Sequence, residues 1–273
     1  MTSVSSFFPL PVKTGQYPFR LGTPSYVYPT DIAPNVEALG PAVDDVEVVL
    51  YESDGASPCP RPAVIERLAE LAAKYQLTYT IHFPIDLELG SPSSAERQLL
   101  RKIMVDIIRG THPLKPLAYV LHLEGIEPIP TASEIQAWQE RVATEIPALV
   151  AEVEEPGLIC VENLDYDYTW CDPILDRFGL GCCMDFGHLW GRGGDIYKHW
   201  QTYRSRIRVA HFHGYKSGQD HLRLSVLAPE TLKRAAALFQ TYHGVVTLEL
   251  FSFEDVNSSL ESLKQAFKNQ KTA

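Results

Sequence analysis

The feature that most constrains this chain is an alternation that repeats eight times. Short runs rich in β-branched residues end in polar side chains, and each is followed by a stretch of helical period. The runs cover residues 19–23, 46–51, 77–82, 117–123, 158–162, 180–185, 207–213 and 245–250. Between them the periodicity predicts helices over 32–39, 62–75, 94–108, 133–154, 173–178, 195–205, 229–239 and 253–267. Thr131-Ala132-Ser133-Glu134 and Ser252-Phe253-Glu254 place capping hydroxyls ahead of a first-turn acid, which marks two helix starts. Strand-then-helix units demand parallel strands joined by right-handed crossovers. Eight such units in roughly 250 residues make one closed (β/α)8 barrel. A doubly wound open sheet is the rival, and no glycine-rich phosphate fingerprint follows the first run to support it. The expected organisation is an irregular arm over 1–16 and a single α/β barrel domain over 17–273.

Composition narrows the partners. With 34 acidic against 24 basic residues the formal net charge is −10. Such a surface opposes nucleic acid and anionic lipid, so neither is an expected partner. The five cysteines include the adjacent pair Cys182-Cys183 and show no metal-knuckle spacing, which reads as reduced, buried thiols in a reducing compartment. The first residues carry no basic region followed by a long apolar one, and no run of about 18 apolar residues is present. The expected location is the cytoplasm.

In such a barrel, reactive groups gather at the C-terminal ends of the strands. The third run ends in His82, the fourth carries His122, the fifth ends in Glu162 and the sixth in Asp185. The seventh carries His211 and His213, and the eighth carries Glu249. Residues two apart share a strand face. Ile159 and Val161, like Val246 and Leu248, therefore point out to the helices, and Glu162 and Glu249 point in. One histidine after an apolar strand is an ordinary core residue. Several carboxylates converging on one low-dielectric mouth repel each other, and a bound cation removes that cost. Imidazole with carboxylate suits Zn, Mn, Fe or Co better than Ca or Mg. Asp185-Phe186-Gly187-His188 lets the chain turn and bring His188 beside Asp185, and the polar loop 214–221 delivers Asp220 and His221 over the mouth. His112, His199 and His243 fall on loops or helices and read as structural.

These residues resemble the xylose isomerase-like barrel superfamily over nearly the whole chain, and within it the AP-endonuclease family of the endonuclease IV type. The resemblance implies that His82, His122 and Glu162 hold one divalent metal. It implies a second held by Glu162, Asp185, His211 and Glu249, and a third by His188 with the 220–221 loop. The endonucleases separate that loop's aspartate and histidine by one residue, whereas Asp220 and His221 are adjacent. Which of Asp220, His221 and His213 completes the third site is therefore open. A narrower likeness, to the cobamide-remodelling phosphodiesterases, rests on residues 21–29 with Asn35 and Asp44-Asp45-Val46-Glu47. Residues 80–84 (Thr-Ile-His-Phe-Pro) and 211–214 (His-Phe-His-Gly) add to it. It implies cleavage of the nucleotide loop of adenosylcobamides with two or three divalent transition ions.

On this reading Glu162 is the bridging ligand, and Glu162, Glu249 and His188 serve catalysis. Glu47, inward by parity, orients the attacking water or binds the ribose. Tyr26, Tyr28 and Trp190 near the mouth stack on a base or corrin edge, and Lys216 contacts substrate. One alternative is a sugar isomerase or epimerase, which needs a single cation at the Glu162, Asp185, His211 and Glu249 quartet and has no use for His82 and His122. A DNA-repair endonuclease needs a basic groove that the sequence lacks, since Arg192 and Lys216 are isolated. A non-catalytic barrel leaves the ligand array unexplained.

Overall fold

The computed structural model describes residues 8–13, 17–50 and 58–268. Part of the arm expected over 1–16, Tyr51 at the end of the second run, and 269–273 lie outside the described residues.

Eight parallel strands close into a barrel. They are β1 (Arg20–Pro24), β2 (Asp45–Val49), β3 (Thr78–His82), β4 (Tyr119–Leu121), β5 (Ile159–Glu162), β6 (Gly181–Asp185), β7 (Ile207–His211) and β10 (Val245–Thr247). The order around the barrel follows the chain, with β10 closing between β7 and β1. A separate antiparallel pair, β8 (Gly214–Lys216) and β9 (Gln219–Leu222), stands after β7. The helices are α1 (Ile32–Leu39), α2 (Pro62–Tyr75), α3 (Ser94–Thr111), α4 (Ala132–Val150) and α5 (Asp172–Phe178). They continue with α6 (Phe186–Gly191), α7 (Ile196–Tyr203), α8 (Pro229–Leu238) and α9 (Phe253–Lys268).

Two differences from the sequence reading bear on the site. The loop over 214–221 is a hairpin, turned by Ser217 at φ 54° and Gly218 at φ 82°. A two-residue turn with both centres at positive φ matches the right-handed twist of its flanking strands. The strand ending at Asp185 runs straight into the short helix α6, capped by the Asp185 carboxylate accepting from the His188 N–H at 2.6 Å.

The periodicities explain the layering. Outward residues such as Ile159, Val161, Val246 and Leu248 pack with the helices in the main core, as their parity requires. Inside the barrel Ala118, Val120, Cys160, Cys183, Val209 and Val245 form a small apolar plug. Cys182 and Cys183 thus face opposite sides of β6, and all five cysteines are free thiols. The α4 start is a full capping box between Thr131 and Glu134. Buried Leu10 belongs to the core, and Lys13 Nζ donates to Val43 O and Tyr75 O at 3.0 and 2.9 Å, tying the described part of the arm to the barrel wall. Among the described residues no helix is long and apolar enough to cross a membrane.

Candidate metal centre

The plug supports a ring of ionisable side chains at the C-terminal end. Register puts them level: Asp185 pairs with His211, His211 with Thr247, and Glu162 with Cys183. His122 follows β4 and Glu249 follows β10 by two residues, so both hang from strand ends.

Glu162 lies at the centre. Its Oε2 is 3.5 Å from His82 Nε2 and 3.1 Å from His122 Nε2, and its Oε1 is 3.3 Å from His211 Nδ1 and 3.4 Å from His188 Nδ1. Four ligand-capable sets occur among the described residues: His82 with His122 and Glu162; Glu162 with Asp185, His211 and Glu249; His188 with His213 and His221; and Glu162 with Cys183 and His211, which overlaps the second. Glu162 alone belongs to both of the first two.

Hydrogen bonds behind the rings fix which nitrogen faces inward. His82 Nδ1 donates to Phe83 O at 2.8 Å, and His122 Nδ1 donates to Glu124 Oε1 at 3.2 Å, so both turn Nε2 toward Glu162. His211 Nε2 donates to Glu47 Oε2 at 2.9 Å, which turns Nδ1 to Glu162 and to Glu249 Oε2 at 3.1 Å. Such partners fix the tautomer and orientation of metal-binding imidazoles. His211 Nδ1 and Glu249 Oε2 are both buried and neither has a hydrogen-bond partner. Two orphaned donor atoms facing one point, inside a set of four ligands, are what a divalent cation satisfies. The residues fit such an ion.

Burial opposes the charged form of every group here. Even so, Glu162 and Glu124 hold the His122 imidazolium up to about 10, and Glu249, Asp185 and Asp220 hold that of His221 up to about 9. Burial likewise disfavours the Glu162 carboxylate, yet His211 and His122 bring it well below its usual range. Cations entering these sets would displace the protons.

The structure places Glu47 away from the mouth. It is fully buried, and its Oε2 accepts from His211 Nε2 at 2.9 Å, so its hydrogen bond goes to that imidazole. Beside it Asp45, pushed up to about 6 by burial, accepts from Thr78 and Thr80 hydroxyls at 2.6 and 2.9 Å. The bond to Glu47 fixes which nitrogen His211 turns inward. Glu47→Gln is expected to weaken metal binding at the central set by roughly 10- to 100-fold, with little change in Tm. Competitive chelator titration checks this, and unchanged affinity would make the contact incidental.

In the hairpin, Asp220 and His221 both turn toward the centre. Regular strand alternation sends neighbours to opposite faces, but His221 sits at φ 49°, in the left-handed region, and breaks it. His221 Nε2 then lies 3.3 Å from Glu249 Oε2, and Asp220 Oδ2 lies 3.8 Å from His188 Nε2. His213 has both nitrogens committed: Nδ1 accepts from the His221 N–H at 2.9 Å and Nε2 donates to Asp185 Oδ2 at 2.9 Å. It props the hairpin against β6.

The expected substrate contacts are dispersed. Tyr26 lines a cleft with Phe251, whose ring is 5.5 Å from that of His221. Tyr28 is only 5% exposed and donates to Phe8 O at 2.7 Å, which makes it packing and not a free stacking surface. Trp190 packs on Phe186 and Phe212, and Lys216 stands exposed on the hairpin. Sequence reasoning did not single out Glu124 or Asn163. Asn163 bonds the Asp185 backbone through both ends of its amide, and its carbonyl accepts from His188 Nδ1 at 3.1 Å. A polar residue directly after Glu162 was the one available signal.

The mouth beside His122 and His188 opens into a cleft of about 390 Å³ walled by Glu88, Glu124, Glu127 and Asp165. Burial, with Glu96, Glu124 and Glu127 nearby, raises Glu88 above its usual carboxylate range.

Comparison with known proteins places this arrangement. No curated protein sequence is a match. A D-tagatose 3-epimerase-like protein superposes with TM-score 0.75 at 22% identity, covering 93% of this chain and 100% of that one. Endonuclease IV from Thermus thermophilus superposes with TM-score 0.68 at 17% identity, covering 92% and 99%. The apo 3-keto-D-glucoside 4-epimerase of E. coli gives 0.68 at 13%, with 92% and 99% covered. At these identities the likeness establishes the fold alone. The family model described as a xylose isomerase-like TIM barrel matches residues 35–269, and the chain belongs to that family.

Proposed function

We propose that this chain is a metal-dependent phosphodiesterase that hydrolyses the phosphoribosyl bond in the nucleotide loop of adenosylcobamides. Water would form the new bond to phosphorus as the bond to the ribose oxygen breaks. The products would be adenosylcobinamide phosphate and the α-riboside of the lower ligand. The observation that carries the reading is the pair of imidazole–carboxylate sets sharing Glu162. An enzyme working with one cation at the Glu162, Asp185, His211 and Glu249 quartet has no task for His82 and His122. Divalent ions would supply Lewis acidity toward the phosphoryl oxygens and acidify water.

The chain's own side chains prepare for that chemistry. Phe83 O and Glu124 orient His82 and His122, Glu47 orients His211, and Asn163 fixes both Asp185 and His188. On the hairpin, His221 lies 3.3 Å from Glu249 and Asp220 lies 3.8 Å from His188. The acidic wall of Glu88, Glu124, Glu127 and Asp165 disfavours the polyanionic backbone of DNA, for which endonuclease chemistry needs a basic groove. A single phosphodiester inside a large, mostly uncharged substrate meets less repulsion.

A sugar epimerase is the second reading, favoured by the likeness to the D-tagatose 3-epimerase-like protein. The two separate by experiment. Manganese-loaded protein is expected to hold two or three metals per chain and to convert adenosylcobalamin into the two products resolved by chromatography. One metal per chain with ketose epimerisation, and no corrinoid product, would establish the epimerase instead.

A further inference from the structure

Past Leu164 and Tyr166, which also line the metal-centre cleft, lies a second cleft of about 310 Å³. It opens between the loop after β5 and the helices α6 and α7. Its lining includes Tyr168 and His199, and its rim carries Arg192 and Lys198. His199 is 9% exposed, and its buried Nε2 has no hydrogen-bond partner. Two rings flank it, Tyr168 at 5.0 Å and Tyr203 at 4.7 Å between centroids.

Two ring hydroxyls and two carboxylates of the cleft are already engaged. Tyr168 Oη donates to Val161 O at 2.8 Å and Tyr203 Oη to Asp172 Oδ1 at 2.7 Å. Asp167 accepts from the Thr169 N–H, and Asp195 accepts from the N–H groups of Tyr197 and Lys198. Arg192 makes one long bond, Nη1 to Leu164 O at 3.3 Å, and Lys198 has no acidic partner among the described residues. A polar atom left unsatisfied at such depth is costly, and native structures rarely leave one without a partner. Burial lowers His199 to about 4, so its ring is neutral at physiological pH, with one donor and one acceptor nitrogen.

We infer that this cleft is the subsite for the nucleoside portion of the substrate, a heteroaromatic base with its ribose, with His199 as its hydrogen-bonding partner between two tyrosine rings. The inference rests on the phosphodiesterase reading for its substrate class. Ligand pockets run from about 300 Å³ upward, so this cleft accepts one nucleoside-sized group and excludes a corrin ring. Leu164 and Tyr166 line both clefts, so on this inference the diester would span them, with the phosphate at the ligand cluster and the base beside His199. Arg192 and Lys198 then flank the sugar–phosphate end.

The test is binding of the riboside of 5,6-dimethylbenzimidazole to the manganese-loaded full chain, by calorimetry. Two variants are compared with the wild type: His199→Phe, which keeps the ring and removes both nitrogens, and Thr202→Trp, which fills the rim from an exposed position. Both are expected to weaken binding at least tenfold. Should His199→Phe not fold, Thr202→Trp carries the test alone. Equal binding by wild type and variants, or no binding by the wild type, would overturn the subsite. Cleavage of adenosylcobalamin and of bis(p-nitrophenyl) phosphate is measured in parallel on the wild type. Blockable riboside binding without cleavage of either ester keeps the subsite and overturns the phosphodiesterase reading. Cleavage with unblocked binding does the reverse.

Discussion

Replacing Glu162 with glutamine should abolish activity and empty part of the metal centre together. The two side chains have nearly the same shape, so packing is kept and the change is electronic. Glutamate offers two anionic oxygens. One faces His82 and His122 at 3.5 and 3.1 Å, and the other faces His211 and His188 at 3.3 and 3.4 Å. Glutamine offers one neutral oxygen and turns an NH₂ toward the other pair, where it donates instead of binding a cation. Charge stabilisation at a metal site is worth several kcal/mol. At about 1.4 kcal/mol per factor of ten, the loss in kcat/KM is about a thousandfold or more. Elemental analysis should show at least one fewer metal per chain, with Tm measured on metal-free protein changed by no more than a few degrees. Full activity with an unchanged metal count would remove Glu162 from the centre of the site.

The fold was legible in the sequence because a strand-ending residue and a capping residue are local events. Helices over 32–39 and 62–75 appear with the same bounds. Parity along β5 was enough to turn Glu162 inward, since a one-residue shift would turn Ile159 and Val161 into the barrel interior instead. Contacts set by barrel closure were not legible. Glu47 and His211 are 164 residues apart, and their hydrogen bond depends on β2 and β7 facing each other across the interior. Parity could say that Glu47 points in, but not that an imidazole stands between it and the mouth. The hairpin fell short for another reason. Its strands have three and four residues, too short for an alternation signal, and only Ser217-Gly218 marks the turn. The left-handed His221 left no trace in the sequence at all, although it decides that two adjacent residues reach the same site.

Gly187 shows how such a hidden constraint acts. Sequence alone suggests that this glycine eases the turn from β6 into α6. Yet it sits in the helix at ordinary φ, where alanine is the better former by about 1 kcal/mol. What forbids alanine is space: a Cβ there would come within 2.0 Å of His213 Cε1 and 2.4 Å of its Nδ1. The His213 ring cannot yield cheaply. It is fully buried, bonded to Asp185 at 2.9 Å on one side and to the His221 N–H at 2.9 Å on the other. Overpacking a well-filled site costs about 1–3 kcal/mol, which exceeds the helix gain. Gly187→Ala should therefore lower Tm by several degrees. Any relief must push His213 away from Asp185 and carry the hairpin with it, taking Asp220 and His221 off the outer set. Activity should fall at least tenfold even at temperatures where the variant is folded. An unchanged Tm with unchanged turnover would mean that the His213 ring moves freely and that the hairpin needs no prop.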